Sequence, residues 1–252
     1  MSDLAATWLG PGAIAGSPTR VLATTRRGGV GTGDWSTFTL GAPAEAEQAG
    51  LTTNRRRLQR LLELPGEPIW LRQVHGRRCI ELGGDEQRDR IEADAAWTAR
   101  PGVVCAVLTA DCLPVAVADR HGRAVGVAHA GWRGLASGVI EALIDAMPVP
   151  PGDLHAWLGP AIGPAAFEIG PEVRDALMEV DPGASPAFRR GAGDRWHADL
   201  WELARRQLRA RGVSSIEGGG LCTWSDPERF FSYRRAGGPT GRMATLAWLD
   251  PA

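Results

Sequence analysis

The sequence predicts an α/β (α+β) protein in which layered mixed β-sheets, flanked by helices, form a single domain. Short apolar runs bounded by Gly or Pro recur along the chain and are typical of buried strands. About four longer segments have helical periodicity, and neither an internal repeat nor a clean linker divides the chain. Of the 252 residues, 44% are hydrophobic, which suffices for one sizeable core. We expect this domain to span residues 20–252 and residues 1–19, rich in Gly, Pro and Ala, to be a loose leader.

The charge balance excludes several classes of protein. The net charge is −1, so the sequence offers no electrostatic case for binding nucleic acid or an anionic membrane. No apolar run reaches the roughly 20 residues of a membrane span, and the N-terminus lacks a signal-peptide pattern, so we expect a cytoplasmic protein. All 28 basic residues are Arg, which excludes a lysine Schiff base and a P-loop lysine. Any bound anion must therefore be held by Arg or by backbone N–H groups.

The apolar runs place the strands. We predict strands over 21–25, 69–74, 79–82, 103–108, 115–118, 124–128, 154–158 and 244–249. The short connection after 69–74 predicts a hairpin with 79–82. The turn at 119–122 predicts a second hairpin, between 115–118 and 124–128.

Apolar residues at helical spacing place four helices. The segments are 53–64, a helix that starts at Gly134 and ends at Pro148, 171–180 and 199–211. Pro171 suits the first turn of its helix. Asp199, with Glu202 three residues on, resembles a capping box.

Four residues at the ends of apolar runs could carry chemistry: His75, Asp111, Cys112 and His129. Zinc accepts His nitrogen and Cys thiolate, and a three-ligand set leaves a fourth position for water, as in catalytic zinc sites. Alternatively, Cys112 is a nucleophile with His129 as its base and Asp111 as orienting group or proton acceptor. A buried thiol beside two hydrogen-bonded histidines is a third interpretation. The spacing of the residues does not decide between these interpretations.

Two glycine-containing stretches could bind an anion. Residues 26–33 form a basic glycine loop, but its glycines lack the spacing of a phosphate-binding fingerprint. Residues 129–134 lead into a helix, where backbone N–H groups and Arg133 could hold an anion. The glycines there could equally serve only a tight strand-to-helix turn.

An ordered series of short motifs identifies a family resemblance that covers roughly residues 21–249. The motifs lie at 25–30, 54–55, 73–76, 93–95, 109–115, 129–134, 159–163, 167–170, 231–235 and 240–242. Together they resemble the YfiH-type family, whose members are also called laccase-domain, polyphenol oxidase-like, purine nucleoside phosphorylase and peptidoglycan editing proteins. The resemblance implies one α/β domain of layered sheets flanked by helices.

The resemblance also implies a metal site and an activity. It makes His75, Cys112 and His129 the metal ligands, with zinc as the usual metal and copper as the alternative. The implied activity is phosphorolysis of purine nucleosides (adenosine, inosine and methylthioadenosine), with adenosine deamination at the same site. The expected partners are thus a purine nucleoside and phosphate.

Further roles follow from that activity. Asp111 is the candidate for proton transfer, which places it in the catalytic set with Cys112 and His129. The predicted phosphate and substrate contacts are Arg26, Arg55, Gln73 and Arg133.

Four departures from the family pattern bear on substrate contacts rather than on the metal motifs. Thr39 stands where the family has Asn, Ala165 and Ala166 where it often has Cys, and Phe167 where it has Tyr. Three other functions therefore stay open. They are a peptidoglycan-editing hydrolase, a copper-dependent polyphenol oxidase, and a non-enzymatic metal-binding interaction protein.

Overall fold

The computed structural model describes residues 8–13, 17–41, 48–83 and 91–251. In chain order its strands are β1 (Trp8–Ala13), β2 (Thr19–Thr24), β3 (Ile69–Arg72), β4 (Cys79–Glu81), β5 (Ile91–Glu92), β6 (Ala95–Thr98), β7 (Val104–Thr109), β8 (Leu113–Asp119), β9 (Val125–Ala130), β10 (Leu154–Leu158), β11 (Glu168–Ile169), β12 (Phe188–Arg190), β13 (Trp196–Ala198), β14 (Ser215–Gly218) and β15 (Met243–Leu249). The helices are α1 (Gln48–Leu61), α2 (Trp132–Ser137), α3 (Val139–Ala146), α4 (Pro171–Val180), α5 (Leu200–Ala210) and α6 (Tyr233–Ala236).

Across the described ranges the strands form three sheets. The first has the order β1-β2-β15-β7-β3-β5, the second β14-β10-β8-β9-β6-β4, and the third β11-β13-β12. Parallel and antiparallel pairs occur in both large sheets. In the first, β7 pairs parallel with β3 and antiparallel with β15; in the second, β10 pairs parallel with β14 and antiparallel with β8. The predicted fold class, layered mixed sheets flanked by helices, is confirmed.

The two large sheets pack face to face, and helices cover their outer faces. Cys105 and Val107 of β7 point inward and share a core with Val127 of β9. Val104 and Ala106 alternate with them and pack outward with Leu58 of α1. The outer face of the second sheet packs against α2, α3, α4 and α5 in the largest core. Since central strands are buried on both faces, most of their residues are apolar, which explains the continuous apolar runs in the sequence.

At one end of the sandwich the chain crosses from the first sheet to the second three times, and two of these crossings carry predicted site residues. After β3 the chain leaves the first sheet, passes through His75 and enters the second sheet as β4. After β7 it leaves the first sheet again, passes through Asp111 and Cys112, and continues as β8. Both crossings contain a non-glycine residue with positive φ, His75 at +61° and Asp111 at +92°. Such left-handed conformations are uncommon outside glycine and cluster at functional sites.

Most of the locally encoded elements are confirmed. The helix over 171–180 is α4, the helix over 199–211 is α5, and β8 and β9 form the predicted hairpin. The helix predicted at 53–64 is α1, which already begins at Gln48. The single helix predicted between Gly134 and Pro148 is wrong. Gly138, with φ +85°, divides that segment into α2 and α3.

Two other sequence predictions are corrected by the structure. The hairpin between 69–74 and 79–82 is wrong, because β3 pairs with β7 and β5 in the first sheet while β4 pairs with β6 in the second. The loose leader is wrong for Trp8–Ala13, which pairs antiparallel with β2 as the edge strand β1. Gly and Pro, the basis of that prediction, are tolerated at a sheet edge. Residues 1–7 and 14–16 lie outside the described residues.

Within the described part of the chain, no helix combines the length and the apolar character needed to cross a lipid bilayer.

Candidate metal centre and adjoining cavity

Three side chains from different parts of the chain converge where the two sheets are bridged. His75 lies on the crossing after β3, Cys112 at the end of the crossing after β7, and His129 near the end of β9. One ligand atom of each lies within 4.8 Å of the others. The two imidazole rings meet edge to face, with centroids 4.7 Å apart. Imidazole and thiolate are ligands that zinc and copper accept, so this group could hold a metal ion.

A buried carboxylate orients His129. Nδ1 of His129 lies 2.8 Å from Oδ1 of Asp94, and both side chains are buried. An ionised carboxylate only accepts hydrogen bonds, so Nδ1 carries the proton and Nε2 is left for a metal. Metal-binding histidines commonly have such a carboxylate partner.

The electrostatics of the site suit a bound cation. Burial raises the pKa of the Cys112 thiol, but the charges and hydrogen bonds of His129 and His75 outweigh it and bring the pKa to about 6. Burial lowers the pKa of His129, yet the Cys112 thiolate and Asp94 raise it to about 9. The site therefore favours a thiolate with a positive charge beside it. A metal cation can supply that charge in place of the imidazolium proton.

The metal-binding group opens into a cavity of about 620 Å³, a size that fits a small organic ligand. Its polar lining includes Gln73, Asp111, Arg133, Arg234 and Arg242. Its apolar lining includes Leu71, Leu108, Trp132, Ile162, Phe167 and Tyr233. Three aromatic rings and three guanidinium groups thus surround one space beside the metal-binding group.

The three guanidinium groups have no carboxylate partner among the described residues. Arg242 is half-buried and donates to the carbonyls of Thr240 and Gly241, and burial lowers its pKa. Arg234 donates to the carbonyl of Glu168, and Arg133 stacks 4.4 Å above the Trp132 ring. Asp111 and Cys112 line the same cavity and act on Arg242 electrostatically, but neither forms a salt bridge with it. Three guanidinium groups that form no salt bridge in a shared cavity favour an anionic ligand.

Asp111 lines the cavity, but its carboxylate is already occupied. Oδ1 accepts from the Thr223 hydroxyl at 2.6 Å, and Oδ2 accepts from the Ser232 hydroxyl at 3.0 Å and the Arg234 amide at 2.7 Å. These contacts tie the crossing after β7 to the C-terminal segment that brings Arg234 to the cavity. They favour a positioning role for Asp111, whereas proton transfer by Asp111 stays a prediction.

The structure separates the predicted phosphate contacts. Arg26 and Arg55 are not among the cavity-lining residues. Arg26 donates to the carbonyls of Ser36 and Pro227, and Arg55 donates to the carbonyl of Leu40. Both arginines thus bind the backbone of surrounding loops, and their role as phosphate clamps stays a prediction.

Gln73 and Arg133 do line the cavity. The Gln73 amide, however, donates to the Leu108 carbonyl and accepts from the Leu108 amide, both at 2.8 Å. It therefore extends the pairing between β3 and β7. The helix that follows His129, proposed as an anion seat, has only six residues, which leaves Arg133 as the main cationic group there.

Sequence reasoning missed four residues of the site. They are Asp94, Tyr233, Arg234 and Arg242. All four lie in motifs on which the family resemblance rests, but no local pattern shows that these motifs meet at one cavity.

Comparison with known proteins identifies the family. A family model described as multi-copper polyphenol oxidoreductase laccase matches residues 20–250. The chain belongs to this family. The resemblance seen in the sequence is thereby confirmed.

Related proteins match over nearly their whole length. The purine nucleoside phosphorylase PA4543 of Pseudomonas aeruginosa is 49% identical over 244 residues, which cover 96% of this chain and 98% of the relative. The purine nucleoside phosphorylase YfiH of Escherichia coli is 47% identical over 227 residues, 90% of this chain and 92% of the relative. The crystal structure of Neisseria meningitidis protein NMB0706 has a TM-score of 0.90 at 42% identity and covers 97% of this chain and 100% of its own.

Proposed function

We propose that this protein is a zinc-dependent purine nucleoside phosphorylase. The observation that carries the proposal is a single cavity that joins the group of His75, Cys112 and His129 to three aromatic rings and to three guanidinium groups that form no salt bridge among the described residues. A nucleoside and phosphate need such neighbours, because the base requires a flat apolar contact and phosphate requires cations. Relatives named purine nucleoside phosphorylase, at up to 49% identity, support the same activity.

Phosphate is assigned to the three arginines of the cavity. Arg242 and Arg234 can present guanidinium N–H groups from the C-terminal segment, and Arg133 can do so from α2. Planar guanidinium groups bind phosphate oxygens in pairs and hold them in a fixed orientation. In phosphorolysis a phosphate oxygen bonds to C1′ of the ribose while the bond from C1′ to the purine N9 breaks. The electron pair leaves with the base, which takes up a proton from solvent.

The purine base is assigned to the three aromatic rings. Trp132, Phe167 and Tyr233 offer ring faces and edges, and Tyr233 is 52% exposed. Stacking contacts tolerate different purine bases, so adenosine, inosine and methylthioadenosine are all proposed substrates. The Tyr-to-Phe departure at Phe167 removes one hydroxyl from this wall.

His75, Cys112 and His129 are the proposed metal ligands. When bound, zinc supplies Lewis-acid stabilisation of negative charge on a substrate oxygen or nitrogen. The protein itself keeps Cys112 as a thiolate and directs Nε2 of His129 toward the other two ligands. His75, which is exposed, lines the cavity.

Adenosine deamination is the proposed second activity. It is favoured by the open side of the three-ligand group, which faces the same cavity as the aromatic rings. Conversion of adenosine to inosine and ammonia in phosphate-free buffer tests it directly. Ammonia release that is lost in Cys112→Ala supports it, and no release from the zinc-loaded protein contradicts it.

The main test is phosphate-dependent cleavage of inosine and adenosine. Protein of measured metal content is incubated with nucleoside, with and without phosphate, and the free base and ribose 1-phosphate are quantified. Ribose 1-phosphate that forms only with phosphate supports the proposal. Absence of turnover with every nucleoside, by zinc-loaded protein, overturns it.

The other candidate functions predict different outcomes. Oxygen uptake with a phenol by copper-loaded protein favours the polyphenol oxidase. Cleavage of muropeptide precursors without nucleoside turnover favours the peptidoglycan-editing hydrolase. A cellular phenotype that survives the loss of metal in Cys112→Ala favours the non-enzymatic interaction protein. In the described ranges His75, Cys112 and His129 form the one candidate metal group found, whereas a multicopper site requires several.

A further inference from the structure

Four hydrogen-bond donors surround the carboxylate of Asp94. It lies between β5 and β6 and is 0% exposed. Oδ2 accepts from the amides of Val74 and Gly76, at 3.1 and 2.8 Å. Oδ1 accepts from the His75 amide at 2.9 Å and faces Nδ1 of His129 at 2.8 Å. Every donor is thus His75, His129 or a direct neighbour of His75.

The three amides belong to the crossing that presents His75. Consecutive amides that converge on one anion form a nest, and a carboxylate in the nest stabilises that backbone conformation. Here the conformation includes His75 at φ +61°, a region that disfavours residues other than glycine. The Asp94 carboxylate therefore offsets the strain of the turn that directs the His75 ring toward Cys112.

The same carboxylate sets the ring of His129. Its contact with Nδ1 defines the tautomer and the ring orientation, so that Nε2 is the metal-facing nitrogen. The backbone strengthens the link, because the His129 amide also donates to the Asp94 carbonyl at 2.7 Å. One side chain thus holds two of the three proposed ligands, although they lie in separate parts of the sequence.

We propose that Asp94 is the positioning residue of the metal centre, which holds His75 and His129 in their binding geometry. The inference rests on the proposed ligand set but not on phosphorolysis. If the Asp94 variant binds Zn²⁺ as tightly as the wild type, the role of Asp94 is overturned even though the wild type cleaves nucleosides. If Zn²⁺ affinity falls in the variant but the wild type cleaves no nucleoside, the role of Asp94 holds and the proposed function is overturned.

The test compares Asp94→Asn with a matched control, Asp119→Asn. Both aspartates are 0% exposed and accept several hydrogen bonds, but Asp119 binds the amides of His121 and Arg123 and the Arg123 guanidinium. The Kd for Zn²⁺ is measured by competition with a chelator of known affinity, on the full chain. The thiolate-to-metal charge-transfer band of the Co²⁺-loaded protein is recorded as a spectroscopic readout.

In Asp94→Asn an NH₂ group replaces one carboxylate oxygen, and all the groups around it are donors. Either a backbone amide or Nδ1 of His129 therefore loses its acceptor. We expect the Kd for Zn²⁺ to rise about 10- to 100-fold and the Co²⁺ band to shift or weaken. In Asp119→Asn we expect both to match the wild type. An Asp94→Asn protein that binds Zn²⁺ with wild-type affinity overturns the proposal. So does an equal loss of affinity in both variants, because the effect is then one of general stability.

A measurement on the wild type covers the case in which Asp94→Asn fails to fold. Long-range ¹H–¹⁵N spectra of the zinc-loaded protein report which nitrogen of His129 carries the proton. We expect a protonated Nδ1 and a zinc-bound Nε2. A zinc-bound Nδ1, or zinc that does not contact His129, overturns the role assigned to Asp94.

Discussion

Gly131 shows how one small residue makes room for a reactive side chain. A Cβ placed on Gly131 would lie 2.8 Å from Sγ of Cys112, closer than real Cβ contacts. The backbone at Gly131, with φ −65° and ψ 169°, is open to any residue. The requirement for glycine is therefore steric, and it comes from the thiol.

Gly131→Ala is expected to weaken metal binding. The new methyl group must displace Cys112, and a displaced ligand fits the metal less well, so we expect the Kd for Zn²⁺ to rise by about tenfold or more. Chelator competition measures this. Gly152→Ala is the matched control, because its Cβ meets no atom within 4 Å. Equal affinities in the two variants would show that Cys112 tolerates the methyl group.

Arg242 is expected to dominate the binding of phosphate. It is half-buried in the cavity, and its guanidinium forms no salt bridge among the described residues. Arg242→Gln removes a charge-assisted contact of about 1.5–3 kcal/mol, so the KM for phosphate should rise at least about tenfold, with a smaller change for inosine. Steady-state kinetics at varied phosphate measure the effect. Exposed Arg189 of β12 provides the control, since Arg189→Ala should leave both KM values unchanged.

Helix α5 illustrates an element whose ends are encoded locally. Asp199 caps it by accepting hydrogen bonds from the amides of Trp201 and Glu202. Its apolar face, with Leu203 and Leu208, is buried in the core behind the second sheet. The helix also reaches the rest of the molecule through Trp201, whose indole donates to the Gly159 carbonyl at 3.1 Å.

Loss of the α5 cap should affect stability but not the site. Asp199→Ala leaves two helix amides without their acceptor, which costs about 1 kcal/mol of unfolding free energy. Urea unfolding followed by circular dichroism measures it. The affinity for Zn²⁺ should stay at the wild-type value. A large loss of affinity would show that α5 supports the metal ligands.

Asp119, at the turn between β8 and β9, should make the free energy of unfolding depend on pH. The hydrogen bond from the Arg123 guanidinium lowers the pKa of buried Asp119 below its ordinary value, despite the opposing effect of burial. The group is thus more acidic in the folded state than in the unfolded chain, where its pKa is about 3.9. Its stabilising contribution is present above that pH and is lost as pH falls through the folded pKa.

The comparison of wild type with Asp119→Asn isolates this contribution. We expect a constant difference in unfolding free energy between pH 6 and 8, measured by urea unfolding, since the group is ionised in both states there. The difference should shrink as pH falls below about 4. A difference that is independent of pH down to pH 3 would assign the effect to packing rather than to charge.

In the molecule as a whole, the metal centre joins the two large sheets. His75 follows β3 of the first sheet, while Cys112 and His129 adjoin β8 and β9 of the second. A metal bound to all three therefore cross-links the sandwich at the end where the chain crosses between sheets. Ligands that bind only the folded state stabilise it by mass action.

Removal of metal should lower the thermal stability of the whole chain. At a free zinc concentration of 100 times Kd, binding adds about 2.7 kcal/mol to the unfolding free energy. Calorimetry with and without a chelator should therefore show a lower Tm in the chelated protein. Cys112→Ala should show little response to the chelator. A wild-type Tm that is independent of the chelator would contradict the cross-linking role.

Short-range patterns in the sequence sufficed for α4, α5 and the hairpin of β8 and β9, because capping, periodicity and tight turns act within about ten residues. They also singled out His75, Cys112 and His129 as chemical residues at the ends of apolar runs. The assignment of β3 and β4 to different sheets depends on strand pairing across the fold, which no local pattern encodes. The same holds for contacts such as Asp94 with His129 and Asp111 with Thr223, whose partners lie 35 and 112 residues apart. The positions of the arginines depend on the same long-range packing. A guanidinium binds whichever acceptors the packed layers place within its reach, so Arg242 lies in the cavity whereas Arg26 and Arg55 lie outside it.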